Sequence, residues 1–260
     1  VYYVDFSRRF EKIIGISDNP VLLDGELGTF DEHGVFPFSP FKLENRIMAY
    51  TTGWSRRKSV SVETSIGLVE SFDGGNSFHR IGKGPIVTSS LHEPFLVCDG
   101  YVAKFNDIFH MWYIFGKNWI EYDGSNDPER VYKIGHATSV DGLNWVKEEN
   151  KSLIADEIGD DECQALPCVF EYKKLYYMMF CYRYSYDFRF SLNRGYKLGC
   201  AYSRDLKVWQ RDDSLIYLNN TAEDWDSFMQ CYPGILKCEG KVYLLYNGNN
   251  FGESGFGLAE

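Results

Sequence analysis

The chain has 260 residues, of which 17% are aromatic, and a formal net charge of −10. Phosphate backbones are gripped by clustered Lys and Arg, so this charge speaks against nucleic acid as a partner, and no apolar run approaches the roughly 18 residues of a membrane span. The seven cysteines (Cys98, Cys163, Cys168, Cys181, Cys200, Cys231 and Cys238) are irregularly spaced, without a C-x-x-C pair or a nearby histidine. They read as buried reduced thiols of a cytoplasmic protein, with no metal site.

The predicted elements recur along the chain. It opens on Tyr3-Val-Asp-Phe-Ser7, then Phe10, a degenerate copy of the phrase Gly-x-Ala-x-Ser, polar turn, aromatic. Fuller copies are GLVES at 67–71 with Phe78, GHATS at 135–139 with Trp145, and GCAYS at 199–203 with Trp209, and an unfinished GLAE lies at 257–260. Ser7, Ser71, Ser139 and Ser203 fall 64, 68 and 64 residues apart. A second phrase interlocks with the first: Pro37, Pro167 and Pro233 each precede an aromatic (Tyr50, Phe180, Tyr246) by 13 residues, and Gly100 holds that slot before Tyr113. Each such segment reads as two short strands joined by a polar turn at Glu44-Asn45, Asn106-Asp107, Lys173-Lys174 or Glu239-Gly240. Gly-x-Ala-x-Ser supplies a third strand, and the aromatic-led segment a fourth.

Repeats of this length built from short strands predict an all-β fold, a propeller of four-stranded antiparallel blades around a funnel. With five third-strand copies but four first-and-second-strand pairs, the expectation is one five-bladed domain over 1–260 that lacks its first two strands. It has a partial blade at 1–30 and further blades starting near 31, 94, 161 and 226. The rival is a complete four-bladed ring. Val1 in place of Met leaves the natural N-terminus expected upstream, and no leader is visible. The longest irregular stretches, 119–130 and 184–194, are expected as rim loops. The turn Ser71-Phe-Asp73-Gly-Gly75-Asn-Ser-Phe78 matches the aspartate box S-x-D-x-G-x-[ST]-[WF], and Ser139-Val-Asp141 begins a near match. There the carboxylate serves a tight hairpin and has no chemistry.

The segments leading into each first strand carry the candidate chemistry. Asp31-Glu32 and Asp161-Glu162 occupy equivalent positions in two blades, and Asp99 sits one residue before its slot, where other blades have Phe36, Leu166 and Tyr232. Carboxylates gathered at a funnel mouth push each other's pKa apart, so that one acts as acid and another as base, the apparatus of glycosidic bond cleavage. Acids before a strand also serve simply as solvated turn residues. A calcium ion is a further ligand that suits an acidic ring. Trp54 and Trp119, at second-strand ends, suit stacking on sugars, and Arg183 a ligand carboxylate or phosphate. His33, His92, Tyr232 and Asn247 are further candidate sugar contacts.

The blade phrases G-x-A-x-S-x-D-x-x-x-W and K-x-x-x-K-x-Y-M-x-Y resemble those of the five-bladed propeller glycosidases, glycoside hydrolase families 32, 43, 62 and 68 (the invertase, arabinanase and levansucrase group). More closely, DGELGTFDEHGVFP at 24–37, Gly53-Trp54 and DWDSFMQCYPGILKCEGKVYLLYNGN at 224–249 look like glycosidase-like proteins of bacterial surface-polysaccharide biosynthesis. The resemblance implies a glycoside hydrolase or transglycosidase without organic cofactor, acting on an oligo- or polysaccharide or an activated sugar. Glu162, in Glu-Cys, would be the proton donor, Asp31, in Asp-x-x-Gly, the base or nucleophile, and Asp99 the stabiliser of the sugar ring. Asp31 and Glu162 stand 18 to 19 residues before their second-strand aromatic, more than the hydrolase pattern, and Asp99 lacks the Arg-Asp-Pro context. A saccharide-binding propeller without turnover is the alternative, and an interaction propeller a third reading that has no need of an acidic, aromatic mouth.

Overall fold

The computed structural model describes residues 1–125, 127–218, 221 and 223–260. The described residues form four antiparallel sheets and a hairpin. The hairpin pairs β1 (Val4–Phe6) with β2 (Ile13–Ile16). The first sheet runs β3 (Pro40–Lys42), β4 (Ile47–Arg56), β5 (Val62–Ser71) and β6 (His79–Arg80) in sequence order. The second runs β7 (Val97–Phe105), β8 (Ile108–Ile120), β9 (Glu129–Ser139) and β10 (Val146–Lys147). The third runs β11 (Glu162–Tyr172), β12 (Leu175–Tyr184), β13 (Lys197–Ser203) and β14 (Gln210–Arg211). The fourth has three strands, β15 (Cys231–Cys238), β16 (Lys241–Asn247) and β17 (Phe256–Ala259). Each is a meander of the kind the repeat predicts. No helix among the described residues is long and apolar enough to cross a membrane.

The hairpin turns follow from local chemistry. Asn106-Asp107, Lys173-Lys174 and Glu239-Gly240 each hold two successive residues at positive φ, 50° and 64°, 46° and 65°, and 51° and 79°. Only a turn of that hand matches the twist of its flanking strands. The first sheet differs from expectation: its first strand is reduced to a bridge between Val35 and Gly53 and the three residues of β3. Pro37 and Pro40 bring no N–H to the ladder, and two such residues within four positions limit its pairing.

The protein packs as two compact units, residues 1–111 with 138–146, and residues 112–137 with 147–260. In the first, Val21, Leu22, Ala49, Val69 and Phe78 form a buried cluster flanked by Val35, Phe38 and Ile47. In the second, Trp112, Phe115, Ile134, Met178 and Phe180 are buried. The repeated glycine has a steric cause: a Cβ at Gly199 would lie 2.4 Å from Phe180 Cζ, and one at Gly67 2.5 Å from Phe30 Cζ. All seven cysteines stand outside any disulfide, six of them buried, and burial pushes Cys200 and Cys231 up to about 12.

The aspartate boxes are hairpin locks. Asp73 accepts from the Ser77 N–H (3.0 Å), Ser77 Oγ (2.7 Å) and Ser71 Oγ (2.7 Å). Asp141 accepts from the N–H groups of Leu143 and Asn144 (both 2.8 Å), and Asp205 from those of Lys207 and Val208 (both 2.9 Å). Trp145 and Trp209 close the last two turns by donating Nε1–H to the Gly142 and Leu206 carbonyls, each 3.2 Å. These bonds hold all three carboxyls below the usual carboxylate range. A depressed folded pKa adds stability that is complete above the unfolded value near ~4 and is lost as the pH falls toward the folded value. The urea midpoint of wild type is therefore expected to fall between about pH 5 and pH 2, and the triple variant Asp73→Asn/Asp141→Asn/Asp205→Asn to show a flatter acid limb. Parallel limbs would contradict this role.

Candidate functional site

In the first unit the acids of the pair 31–32 part company. Asp31 is fully buried, and its Oδ2 accepts from Arg80 Nε at 2.6 Å while its Oδ1 accepts from Thr29 Oγ1 at 2.9 Å. Arg80, on β6, also bonds the Leu23 carbonyl at 2.6 Å, so the pair ties the approach to the first strand to the outermost strand of the same sheet. Glycines at 25 and 53 make the room: a Cβ there would stand 1.9 Å from Asp31 Oδ1 and 2.3 Å from Asp31 Cβ. Glu32 instead accepts the Gly28 N–H at 2.8 Å and lies 3.4 Å from His33 Nδ1. His33 is exposed and its ring is 5.7 Å from that of half-buried Trp54. Glu32, His33 and Trp54 thus meet at one surface. His92 is exposed. Asp99 is half-buried, and its N–H donates to Thr52 Oγ1 at 2.8 Å.

The second unit repeats the tie. Glu162, the first residue of β11, is fully buried. Its Oε1 accepts from Arg211 Nη1 (2.7 Å) and Gln164 Nε2 (2.9 Å), its Oε2 from the N–H groups of Glu157 (2.8 Å) and Ile158 (3.1 Å). Arg211, on β14, reaches the Ala155 carbonyl (2.8 Å) and Asp213 Oδ2 (2.9 Å) as well. Every partner of the Glu162 carboxylate is a donor. The expected roles differ from this placement, because an acid or base must touch the glycosidic oxygen or the attacking water, and both Asp31 and Glu162 are enclosed by protein.

The other expectations in this unit divide. Asp161 is half-exposed, accepts from Ser185 Oγ at 3.0 Å and lies 3.9 Å from Arg194 Nη2. Trp119 is half-buried with Arg130 Cζ 5.9 Å from its ring centre. Tyr232 is 38% exposed and near-parallel to Phe251 at 6.4 Å. Arg183 is buried, its Nη1 donating to the Tyr184 and Ser185 carbonyls, and its guanidinium lies 3.4 Å from the centre of the Phe188 ring. The Asn247 amide donates to the Phe251 carbonyl at 3.0 Å, closing the turn after β16. Arg183, the candidate for a ligand carboxylate or phosphate, and Asn247, a candidate sugar contact, thus both carry internal hydrogen bonds.

One backbone feature recurs at the slot before the proline or glycine. Asp99, Leu166 and Tyr232 have φ of 54°, 49° and 58°. The ladders slip there, between Ala165 and Cys168 and between Cys231 and Gly234. Left-handed non-glycine residues cost on the order of 1–2 kcal/mol each, and bulges of this kind re-aim side chains. Among the described residues no group of three or more His, Cys, Asp or Glu is placed to hold a metal.

No protein-family model matches the sequence. It is 30% identical over 249 residues to the uncharacterised proteins MT1551 and Rv1502 of two Mycobacterium tuberculosis strains, covering 95% of this protein and 78% of each of theirs. This protein belongs to the family of these mycobacterial proteins. Solved structures of like fold include a glycoside hydrolase (TM-score 0.68, 18% identity, 92% of this protein and 72% of that one). A thermostable family-43 glycoside hydrolase matches at TM-score 0.60 and 15% identity, over 86% and 70%. The endo-arabinase of Bacteroides thetaiotaomicron VPI-5482 matches at 0.60 and 14%, over 95% and 80%. This member of the MT1551 family therefore has the fold of the glycoside hydrolase β-propellers, with four sheets as blades.

In this family member, sequence reasoning passed over Arg80 and Arg211. Both stand two residues after the repeat's aromatic, Phe78 or Trp209, and Lys147 stands two after Trp145. A buried acid (Asp31, Glu93, Glu162, Asp226) precedes each slot by five to seven residues. For Asp31 with Arg80 and Glu162 with Arg211 both slots were thus in the repeat, but their meeting needed the fold. Phe188 and Phe251 carried no signal.

Proposed function

We propose that this protein is a glycosidase-like propeller that binds an oligo- or polysaccharide, or an activated sugar, without cleaving it, in cytoplasmic steps of surface-polysaccharide assembly. The reading includes a fifth blade to which β1 and β2 belong, and no organic cofactor. The observation that carries it is the contrast between two carboxylates sealed by arginines and the aromatic groups left at the surface near the strand ends. Asp31 and Glu162 each tie together the parts of a single sheet, while Trp54 with His33, Trp119 and Tyr232 present ring faces suited to the apolar faces of sugars. Calorimetry with a panel of defined oligosaccharides should give saturable binding without product release. Tyr232→Ala should weaken that binding about tenfold. Absence of binding across the panel would sink the reading.

A hydrolytic reading has one observation of its own, the half-buried Asp99 held at positive φ, since backbone strain gathers at working sites. It expects release of sugar by wild type, lost in Asp99→Asn and kept in Glu162→Gln provided that variant folds.

A further inference from the structure

Beyond the residues singled out in the sequence, the second unit holds a cleft of about 280 Å³ lined by Gly124, Ser125, Glu129 and residues 186–190. Its aromatic walls are fixed in advance. The buried Phe188 ring is held from within, with Arg183 Cζ at 3.4 Å and Arg189 Cζ at 4.2 Å from its centre. Tyr186 is stacked on Tyr122 at 4.6 Å, and the Tyr122 hydroxyl is tied to Ser185 Oγ at 2.5 Å, which in turn bonds Asp161. Walls already ordered lose little entropy when a ligand arrives. Phe190 is 87% exposed, an apolar ring held at the lip by a tight turn in which Asp187 has φ 57° and its carbonyl accepts from the Ser191 N–H at 3.0 Å.

The polar groups of the cleft set its chemistry. Arg189 Nη1 and Glu129 Oε1 are 3.5 Å apart, longer than a good charge-assisted hydrogen bond. A hydroxyl group that both donates and accepts can bridge such a pair. With Asp187 the lining carries two carboxylates against one guanidinium, which disfavours an anion. We infer that the cleft is a subsite for one neutral pyranose unit, its C–H face against the exposed Phe190 ring and its hydroxyls on Glu129 and Arg189. The inference rests on the saccharide-binding reading above and assigns it a place and a charge class.

The test is ligand-observed NMR titration of the full-length protein with the methyl glycosides of glucose, galactose and mannose, and with glucuronate as the anionic counterpart. At least one neutral glycoside should bind, and glucuronate more weakly than methyl glucoside. Phe190→Ala and Glu129→Gln should each weaken the neutral ligand about tenfold. Phe190 is at the surface, so its variant should keep the wild-type melting temperature. Neutral binding undiminished in both variants would overturn the cleft assignment and leave the saccharide reading standing. Preference for glucuronate would overturn the charge class. No binding of any of the four by wild type, with oligosaccharides still bound in calorimetry, would likewise remove only the cleft; no binding of either kind would remove both.

Discussion

Replacing Arg211 with methionine is expected to lower the unfolding free energy by about 3–5 kcal/mol, the usual penalty for stranding a buried charge. For a protein of this length that is a drop of roughly 6–20 °C in melting temperature. The reason is the enclosure of Glu162, fully buried, with Arg211 as its cationic partner at 2.7 Å. Arg211 also loses its bonds to Asp213 and the Ala155 carbonyl in that variant. Glu162→Leu combined with Arg211→Met should recover a large part of the loss, because two apolar groups leave no charge unpaired. Thermal denaturation of the two variants decides the matter. If Arg211→Met melted within a degree or two of wild type, Glu162 would not be a structural carboxylate, and its role as a proton donor would return.

Gly25→Ala should be the second most damaging change, at about 3 kcal/mol. The added methyl would lie 1.9 Å from Asp31 Oδ1 and 2.3 Å from Thr29 Oγ1. It can be accommodated only by moving the carboxylate away from Arg80, so overpacking and a broken buried ion pair add together. Gly28→Ala is the control. Gly28 has φ +85° and open space around it, so its cost is confined to backbone strain of about 1–2 kcal/mol. Urea midpoints of the two variants separate these causes. Equal losses would show that Asp31 is free to shift and that the seat made by Gly25 does not hold it.

The repeat phrase told correctly of meander sheets, because strand alternation, turn residues and the glycine under an aromatic are local or nearly local demands. The aspartate boxes were legible for the same reason, since Asp73 and its donors lie within four residues. The matching acidic pairs 31–32 and 161–162 were legible too, but the register set Asp31 against Asp161, whereas the buried acids are Asp31 and Glu162, one residue out of step. An acid looks alike in sequence whether it serves a substrate or a guanidinium, and the partner of each buried one stands 49 residues further along. The longer spacing of these acids from their second-strand aromatic was the visible hint.

By itself, the sequence determined the all-β class, the blade-sized meanders and the slot before each proline, because periodicity and turn chemistry act over a few residues. Only the tertiary structure decided which polar groups face solvent. It buried Asp31, Glu162 and Arg183, bonded the Asn247 amide into a turn, and left Tyr232, His33 and Phe190 at the surface. The physical reason is that burial and charge pairing depend on contacts between residues far apart in the sequence, and the cost of an unpaired buried charge, several kcal/mol, outweighs any local preference.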